Sequence, residues 1–407
     1  MKKNRYFQMA LAATALLTVA CNGDDELTNV VTKEPHAISF TGSISEEGEQ
    51  VSRAESEGLE NYSDKFVVFG YKNGNKETVM NGYTVNWVET SAGSTSTNTH
   101  DWEYVGQGGA SKSQVIKYWD EKADNYTFFG YVPSRISDHN SPEYYNVIAT
   151  APTTSSPNIH QITFSDLYYC AEYEGMLMYA TSFESDGVTP ITKMLDKSTI
   201  PLISKMKRIE PNSTGTTKYS GPVELEFIPP YAKVKIAFER ISSVENSPIS
   251  SISFRPSTGS IVSKADVTCS YNITNGTSAI SLANTTTTSP VFQNGMRFDT
   301  MSKTESVGSS AQVKGIMDDE ETIYFAKPQY MLFPTTGTPV NFVLQANIGS
   351  GLQECIVPAA YMKWEMGYEY TYVFKITKAG LNLINVIKVG IKSWESIGTH
   401  ETSFHNW

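Results

Sequence analysis

Apolar and polar residues alternate with a period of two along most of this chain, and the clearest instance lies near its end. Tyr368, Tyr370, Tyr372, Phe374 and Ile376 alternate with Glu369, Thr371 and Lys375. One face is aromatic and the other mostly polar, which predicts a half-buried β-strand. Leu383, Val386 and Val389 continue the apolar pattern, and Trp394 stands before a polar tail. A strand this apolar needs a sheet to receive it, in its own chain or in a neighbour. Val223, Leu225 and Phe227 alternate with Glu224 and Glu226, and Val234, Ile236 and Phe238 with Lys233, Lys235 and Glu239. Shorter buried-strand runs start at Phe66, Tyr126, Ile249, Thr322, Tyr330 and Val340. Asn73-Gly74 and Asn275-Gly276 are turn signals between such runs. No stretch sustains a helical period over three turns, so at most one or two short helical turns are expected. Many short strands punctuated by Gly, Pro and Asn predict an all-β protein built of β-sandwiches. Pro229-Pro230 interrupts two good strands. Proline cannot continue a central strand, so the pair marks a domain junction, with domains over residues 54–228 and 229–407.

Composition narrows the class. The chain has 407 residues, 40% of them apolar, 12% aromatic and only 18% charged, with 23 tyrosines. That suits two or three folded domains with Ser/Thr/Asn-rich surfaces. The formal net charge is −11 and no basic cluster occurs, which argues against nucleic acid as a partner. Cys170, Cys269 and Cys355 are far apart and not in CxxC spacing. They are expected to be small buried hydrophobes, with neither a disulfide framework nor a zinc pattern.

The first 21 residues read as an export signal. Lys2, Lys3 and Arg5 precede an apolar run from Met9 to Ala20 that is too short to span a bilayer. Leu17-Thr18-Val19-Ala20-Cys21 resembles a bacterial lipobox, with Thr18 where Leu is usual and Cys21 as the residue that would carry lipid. The other reading is an ordinary signal peptide followed by a chance Cys. Asn22-Gly23-Asp24-Asp25-Glu26 resembles the surface-export signal of Bacteroidales lipoproteins, the alternative being a solvated linker. Residues 22–53 form a polar, acidic pro-segment with one strand-like stretch, His36-Ala37-Ile38-Ser39-Phe40. Arg53-Ala54 lies amid Ser, Glu and Gly, where a protease could reach it.

Catalytic chemistry is not visible. The six histidines show no His-Glu-x-x-His or other paired-ligand spacing, and no Gly-x-Ser-x-Gly elbow, P-loop or dinucleotide fingerprint occurs. Asp318-Asp319-Glu320-Glu321 lacks the alternating ligands and central glycine of a calcium loop, and is read as an exposed acidic loop. Gly106-Gln-Gly108-Gly109 is read as a hairpin turn. No enzyme activity, cofactor or metal is expected.

Six motifs, in order, resemble the fimbrillin-like family, the subunits of Bacteroidales type V pili and their relatives. They are Tyr118-Trp119; Tyr126-Thr-Phe-Phe-Gly-Tyr-Val-Pro133; Leu177-Met-Tyr-Ala180; Val223-x-Leu-x-Phe227 with Ala232-Lys-Val-Lys-Ile236; Gly367-Tyr368-x-Tyr370; and Val389-x-Ile391-x-x-Trp394. Pro229-Pro230-Tyr231 stands where the family usually has a His. The resemblance implies two transthyretin-like β-sandwich domains in tandem and a non-enzymatic lipoprotein of the outer membrane, held there by lipid on Cys21. It further implies that a trypsin-like surface protease cuts after Arg53 and removes an N-terminal strand, here residues 36–40. A strand from another fimbrial subunit would fill the groove, and this chain's own end would be donated onward. Val386, Val389, Ile391, Trp394, Phe404 and Trp407 are the donor-strand candidates.

Two alternatives stand beside this reading. One is an anchor subunit of the same family that keeps its lipid and is not cut. The other is a monomeric surface glycan-binding protein with exposed aromatic platforms, although Tyr118, Trp119 and Tyr126 are expected to be core. The adhesion target is not legible.

Overall fold

Strands form at nearly every place where apolar and polar residues alternate. The computed structural model describes residues 36–44, 58–88, 101–106, 114–133, 146–173, 176–183, 190–196, 200–213, 217–240, 248–287, 296–298, 323–326, 329–349, 351–377 and 380–390. In chain order the strands begin with β1 (Phe40–Ile44), β2 (Lys65–Lys72), β3 (Glu77–Trp87), β4 (Trp102–Glu103), β5 (Tyr126–Val132), β6 (Asn146–Thr150), β7 (Ile159–Tyr168) and β8 (Cys170–Tyr173). Next come β9 (Met176–Phe183), β10 (Pro190–Asp196), β11 (Leu202–Ser204), β12 (Lys207–Ile209), β13 (Val223–Ile228), β14 (Ala232–Arg240), β15 (Ile249–Pro256) and β16 (Lys264–Asn272). The last are β17 (Thr277–Thr286), β18 (Met296–Phe298), β19 (Ile323–Phe325), β20 (Gln329–Leu332), β21 (Phe342–Ile348), β22 (Gly351–Val357), β23 (Tyr368–Thr377) and β24 (Gly380–Gly390). Helix among the described residues amounts to two single 3-10 turns, Leu59–Asn61 and Ala359–Tyr361. The protein is all-β, and no described helix is long and apolar enough to cross a membrane.

Four sheets result. The first runs β1-β13-β11-β5-β2-β3-β4, with β12 also on β5; the second runs β17-β16-β7-β6. The third runs β10-β9-β8-β20-β14-β23-β24, with β19 also on β14; the fourth runs β18-β15-β21-β22. Aromatic contacts show which faces meet. Phe129 of β5 stacks on Tyr271 of β16 with ring centres 4.2 Å apart, so the second sheet covers one face of the first. Phe254 of β15 meets Tyr372 of β23 at 5.2 Å, so the fourth sheet covers the third. Between these faces runs one large core, from Phe69 and Tyr71 through Ile162, Phe164 and Tyr271 to Tyr372 and Phe374.

The Ile228–Pro229 junction falls between β13 and β14, which belong to different sheets. It does not divide the remaining sheets. β7 pairs with β16 over almost its whole length, and β8 pairs with β20, so strands from both sides of residue 228 share the second and third sheets. The described residues all belong to one compact unit, His36–Trp407. Strand alternation specifies a face but carries no label for its partner, which is why this interleaving is not legible in the sequence.

The strand 368–376 lies inside its own chain's sheet. β23 is flanked by β14 in parallel register and by β24 in antiparallel register. With neighbours on both sides and cover on both faces, Thr371 and Val373 are buried as well as Tyr370, Tyr372 and Phe374. The strand is therefore a buried central one, more enclosed than its alternation predicts.

The opposite face of the first sheet encloses a second core. Ile38, Phe40, Phe66, Val68, Met80, Trp102, Tyr104, Phe128, Val223, Leu225 and Phe227 are all in it, and they come from strands along the entire sheet. Phe40 on β1, at one edge, lies 6.0 Å from Tyr104, just past β4 at the other edge. The sheet thus curls until its two edges meet around this core. The segment at the seam is the N-terminal strand.

Candidate functional site

The seam is closed by residues 36–44, which bridge two different edges. Their first half is held by the segment around Lys117: Ile38 N–H donates to Lys117 O at 2.8 Å, and Trp119 N–H donates to His36 O at 2.9 Å. Ala37 and Tyr118 face each other in an antiparallel bridge. The second half is β1, which lies parallel to β13 with Phe40 opposite Val223, Gly42 opposite Leu225 and Ile44 opposite Phe227. Val223 N–H also donates to Ser39 O at 2.7 Å. Backbone groups of one short segment therefore satisfy the edge of β13, which would otherwise be open, and bind the segment around Lys117.

Side chains alternate as in any strand, and every second one points into the core. Ile38 and Phe40 have no exposed surface and Ile44 only 4%. Phe40 makes edge-on contacts with Phe66, Tyr104 and Phe128 at 6.2, 6.0 and 5.6 Å. Tyr104 O–H donates to Ile38 O at 3.0 Å and its oxygen accepts from Lys117 N–H at 2.9 Å, tying the segment to both neighbours. Burial holds the Tyr104 phenol far above its ordinary pKa, so it stays a neutral donor. Full burial of a large apolar side chain is worth about 1.5–3 kcal/mol, so the three anchors together contribute roughly 5–9 kcal/mol.

The fourth inward position is Gly42, and its place is filled from outside the strand. Gly58 bridges Ser43, and Leu59, with no exposed surface, lies over Gly42. A Cβ on Gly42 would come within 2.7 Å of Leu59 Cδ2 and 3.1 Å of Leu59 Cβ. The segment thus fills three apolar pockets with its own side chains, and the place facing Gly42 is taken by Leu59.

The other sequence-based site residues divide into two groups. Val386 and Val389 lie in β24, hydrogen-bonded along β23 opposite Tyr372 and Glu369. A donor strand beginning near Asn385 would have to give up that ladder; the other donor candidates are Ile391, Trp394, Phe404 and Trp407. Those four, together with Cys21, Arg53 and Ala54, lie outside the described residues. The acidic run 318–321 and residues His400 and His405 do also.

The sequence-based strand candidate stopped at Phe40, whereas the inserted segment runs on to Ile44. Thr41-Gly42-Ser43 hides its period because the inward residue has no side chain. Leu59 and Tyr104 carried no local signal. Trp119 and Tyr126 are core as expected, but Tyr118 is 45% exposed because its backbone is used for the bridge to Ala37 while its ring turns outward. Cys170 and Cys269 are buried, and burial pushes their thiols up to about 12 and about 11, which keeps them unreactive; Cys355 is only half-buried. Among the described residues no group of three or more His, Cys, Asp or Glu side chains converges as a metal site would require.

The fold defines an all-β protein of packed sheets with an inserted N-terminal strand. No protein-family model and no curated protein matches the chain. Solved structures are similar to it at low identity. A candidate cell adhesion protein from Bacteroides uniformis is 13% identical, with 87% of this chain and 98% of that one covered and a TM-score of 0.37. A second candidate cell adhesion protein, from Bacteroides ovatus, is 13% identical, with 90% and 99% covered and a TM-score of 0.38. The fimbrial anchor protein Mfa2 from Porphyromonas gingivalis is 12% identical, with 88% and 98% covered and a TM-score of 0.29.

Proposed function

We propose that this chain is a non-enzymatic fimbrial subunit or adhesin of the cell surface, assembled by strand exchange. The observation that carries the reading is the segment 36–44, which lies upstream of Arg53, lies between the edge of β13 and the segment around Lys117, and buries Ile38, Phe40 and Ile44. A cut after Arg53 separates this segment covalently from the core it fills. Its loss opens the edge of β13 and three apolar pockets. An incoming strand restores the backbone hydrogen bonds and fills the pockets with alternate side chains. Such a contact joins unlike surfaces and does not close on itself, so it propagates into a filament. The six sequence motifs support the same reading independently of the groove.

In this scheme Cys21 carries the lipid that brings the precursor to the outer membrane, a trypsin-like protease cuts at Arg53-Ala54, and the end of the chain, from Ile391 on, is offered to the next subunit. The depth at which the strand is held also favours a second reading, an anchor that keeps both its lipid and its strand. Mass spectrometry of protein recovered from the cell surface separates the two. A mature start at Ala54 is the expected result, a lipidated start at Cys21 identifies an anchor, and a start elsewhere removes the cleavage step.

A further inference from the structure

We infer that Leu59 keys the groove, so that it accepts only a strand with a glycine in place of Gly42, and that residues 385–407 of another copy of this chain do not supply that strand. The inference rests on the strand-exchange reading and specifies the partner. The inward residues of the resident segment are Ile38, Phe40, Gly42 and Ile44. The third is shut by Leu59, whose Cδ2 would stand 2.7 Å from any Cβ placed there. Leu59 lies downstream of Arg53, so it stays with the chain after the cut and remains over the groove. A small turn of its side chain could admit a methyl group. A branched or longer side chain meets Leu59 Cβ as well, at a site with no exposed surface to yield into. The groove therefore reads apolar-x-apolar-x-Gly-x-apolar.

Residues 385–407 do not carry that pattern. Residues 385–407 contain two glycines, Gly390 and Gly398. Setting Gly390 in the place of Gly42 puts Val386, Lys388 and Lys392 at the other inward positions, or Trp394, Lys392 and Lys388 if the strand runs the other way. Setting Gly398 there gives Trp394, Ser396 and His400, or Thr402, His400 and Ser396. Every alignment leaves at least two of the three apolar pockets to a polar or charged group, whose burial without a partner is costly.

The test uses full-length chain nicked by limited trypsin, with Ala54 confirmed as the new start, and fluorescent peptides added to it. The peptide of residues 36–46 should exchange into the nicked chain. The same peptide carrying Gly42→Leu should bind about tenfold more weakly or worse, and a peptide of residues 385–407 should not enter. Nicked Leu59→Ala chain should recover binding of the Gly42→Leu peptide. Equal binding of the native and Gly42→Leu peptides to unaltered chain overturns the key, whether or not the Leu59→Ala chain folds. Tight entry of the 385–407 peptide overturns the exclusion of that segment. If the native peptide itself never enters, the strand-exchange reading falls and takes this inference with it.

Discussion

Phe40 and His160 show how single side chains set the behaviour of the two cores. Phe40 is fully buried and touches three other rings, so truncation leaves a cavity that its rigid neighbours cannot fill. Phe40→Ala should destabilise the uncut chain by about 3–5 kcal/mol in denaturant unfolding. A loss below about 1 kcal/mol would mean that residues 36–44 do not support the fold. His160, on β7, is buried against Phe69 and Phe129, with Tyr71 Oη 2.8 Å from its Nδ1. Its Nε2 has no hydrogen-bond partner among the described residues. Burial lowers its pKa from 6.5 to about 4, so the imidazole is neutral in the fold. The unfolded chain therefore takes up the proton first as pH falls. The stability this group contributes is complete above pH 6.5, declines between 6.5 and about 4, and is constant below. The decline is of the order of 3 kcal/mol. His160→Phe should flatten stability across that window, and an unchanged slope in the variant would assign the acid sensitivity to other groups.

At the scale of elements, β1 and β24 behave differently although both end a sheet. β24 is continuous with β23 and paired to it over ten residues, so it belongs to the sheet's own stability. β1 is joined covalently to the strands that follow through residues 45–57, where Arg53 lies. Arg53→Ala should leave the fold intact, block maturation and abolish surface fibres, as seen by electron microscopy and by a precursor-sized band. Normal fibres from that variant would remove the cut from the scheme. Deleting residues 395–407 should leave thermal unfolding unchanged, because β24 is untouched, yet prevent the chain from passing a strand onward. Unchanged fibres after this deletion would rule out that tail as the donor. On the strand-exchange reading, the two variants would interrupt assembly from opposite ends, one by keeping the groove filled and one by withholding the strand.

At the scale of the whole molecule, the sequence by itself determined the class. Period-two alternation at Val223, Leu225 and Phe227, and again at Tyr368 to Ile376, specified strands and their buried faces, because adjacent side chains in a strand must point to opposite sides. Asn275-Gly276 marked the β16–β17 turn, where Gly276 adopts a φ of 74°, a conformation a side chain would resist. The strand-like run at Ile38 and Phe40 was also legible. Only the tertiary structure decided which strands meet. Pairings such as β7 with β16, β14 with β23 and β1 with β13 join residues about a hundred or more positions apart. In β7, Ile162 and Phe164 alternate with polar neighbours, yet nothing in that pattern names β16 as the partner. The structure also decided that Thr41 to Ile44 continue the inserted strand. A strand's period fixes which face it buries, but its partner is chosen by shape and by the open edge it can satisfy. Gly42 is the sharpest case: in sequence it interrupts the apolar pattern, and in the fold it is the place that Leu59 fills.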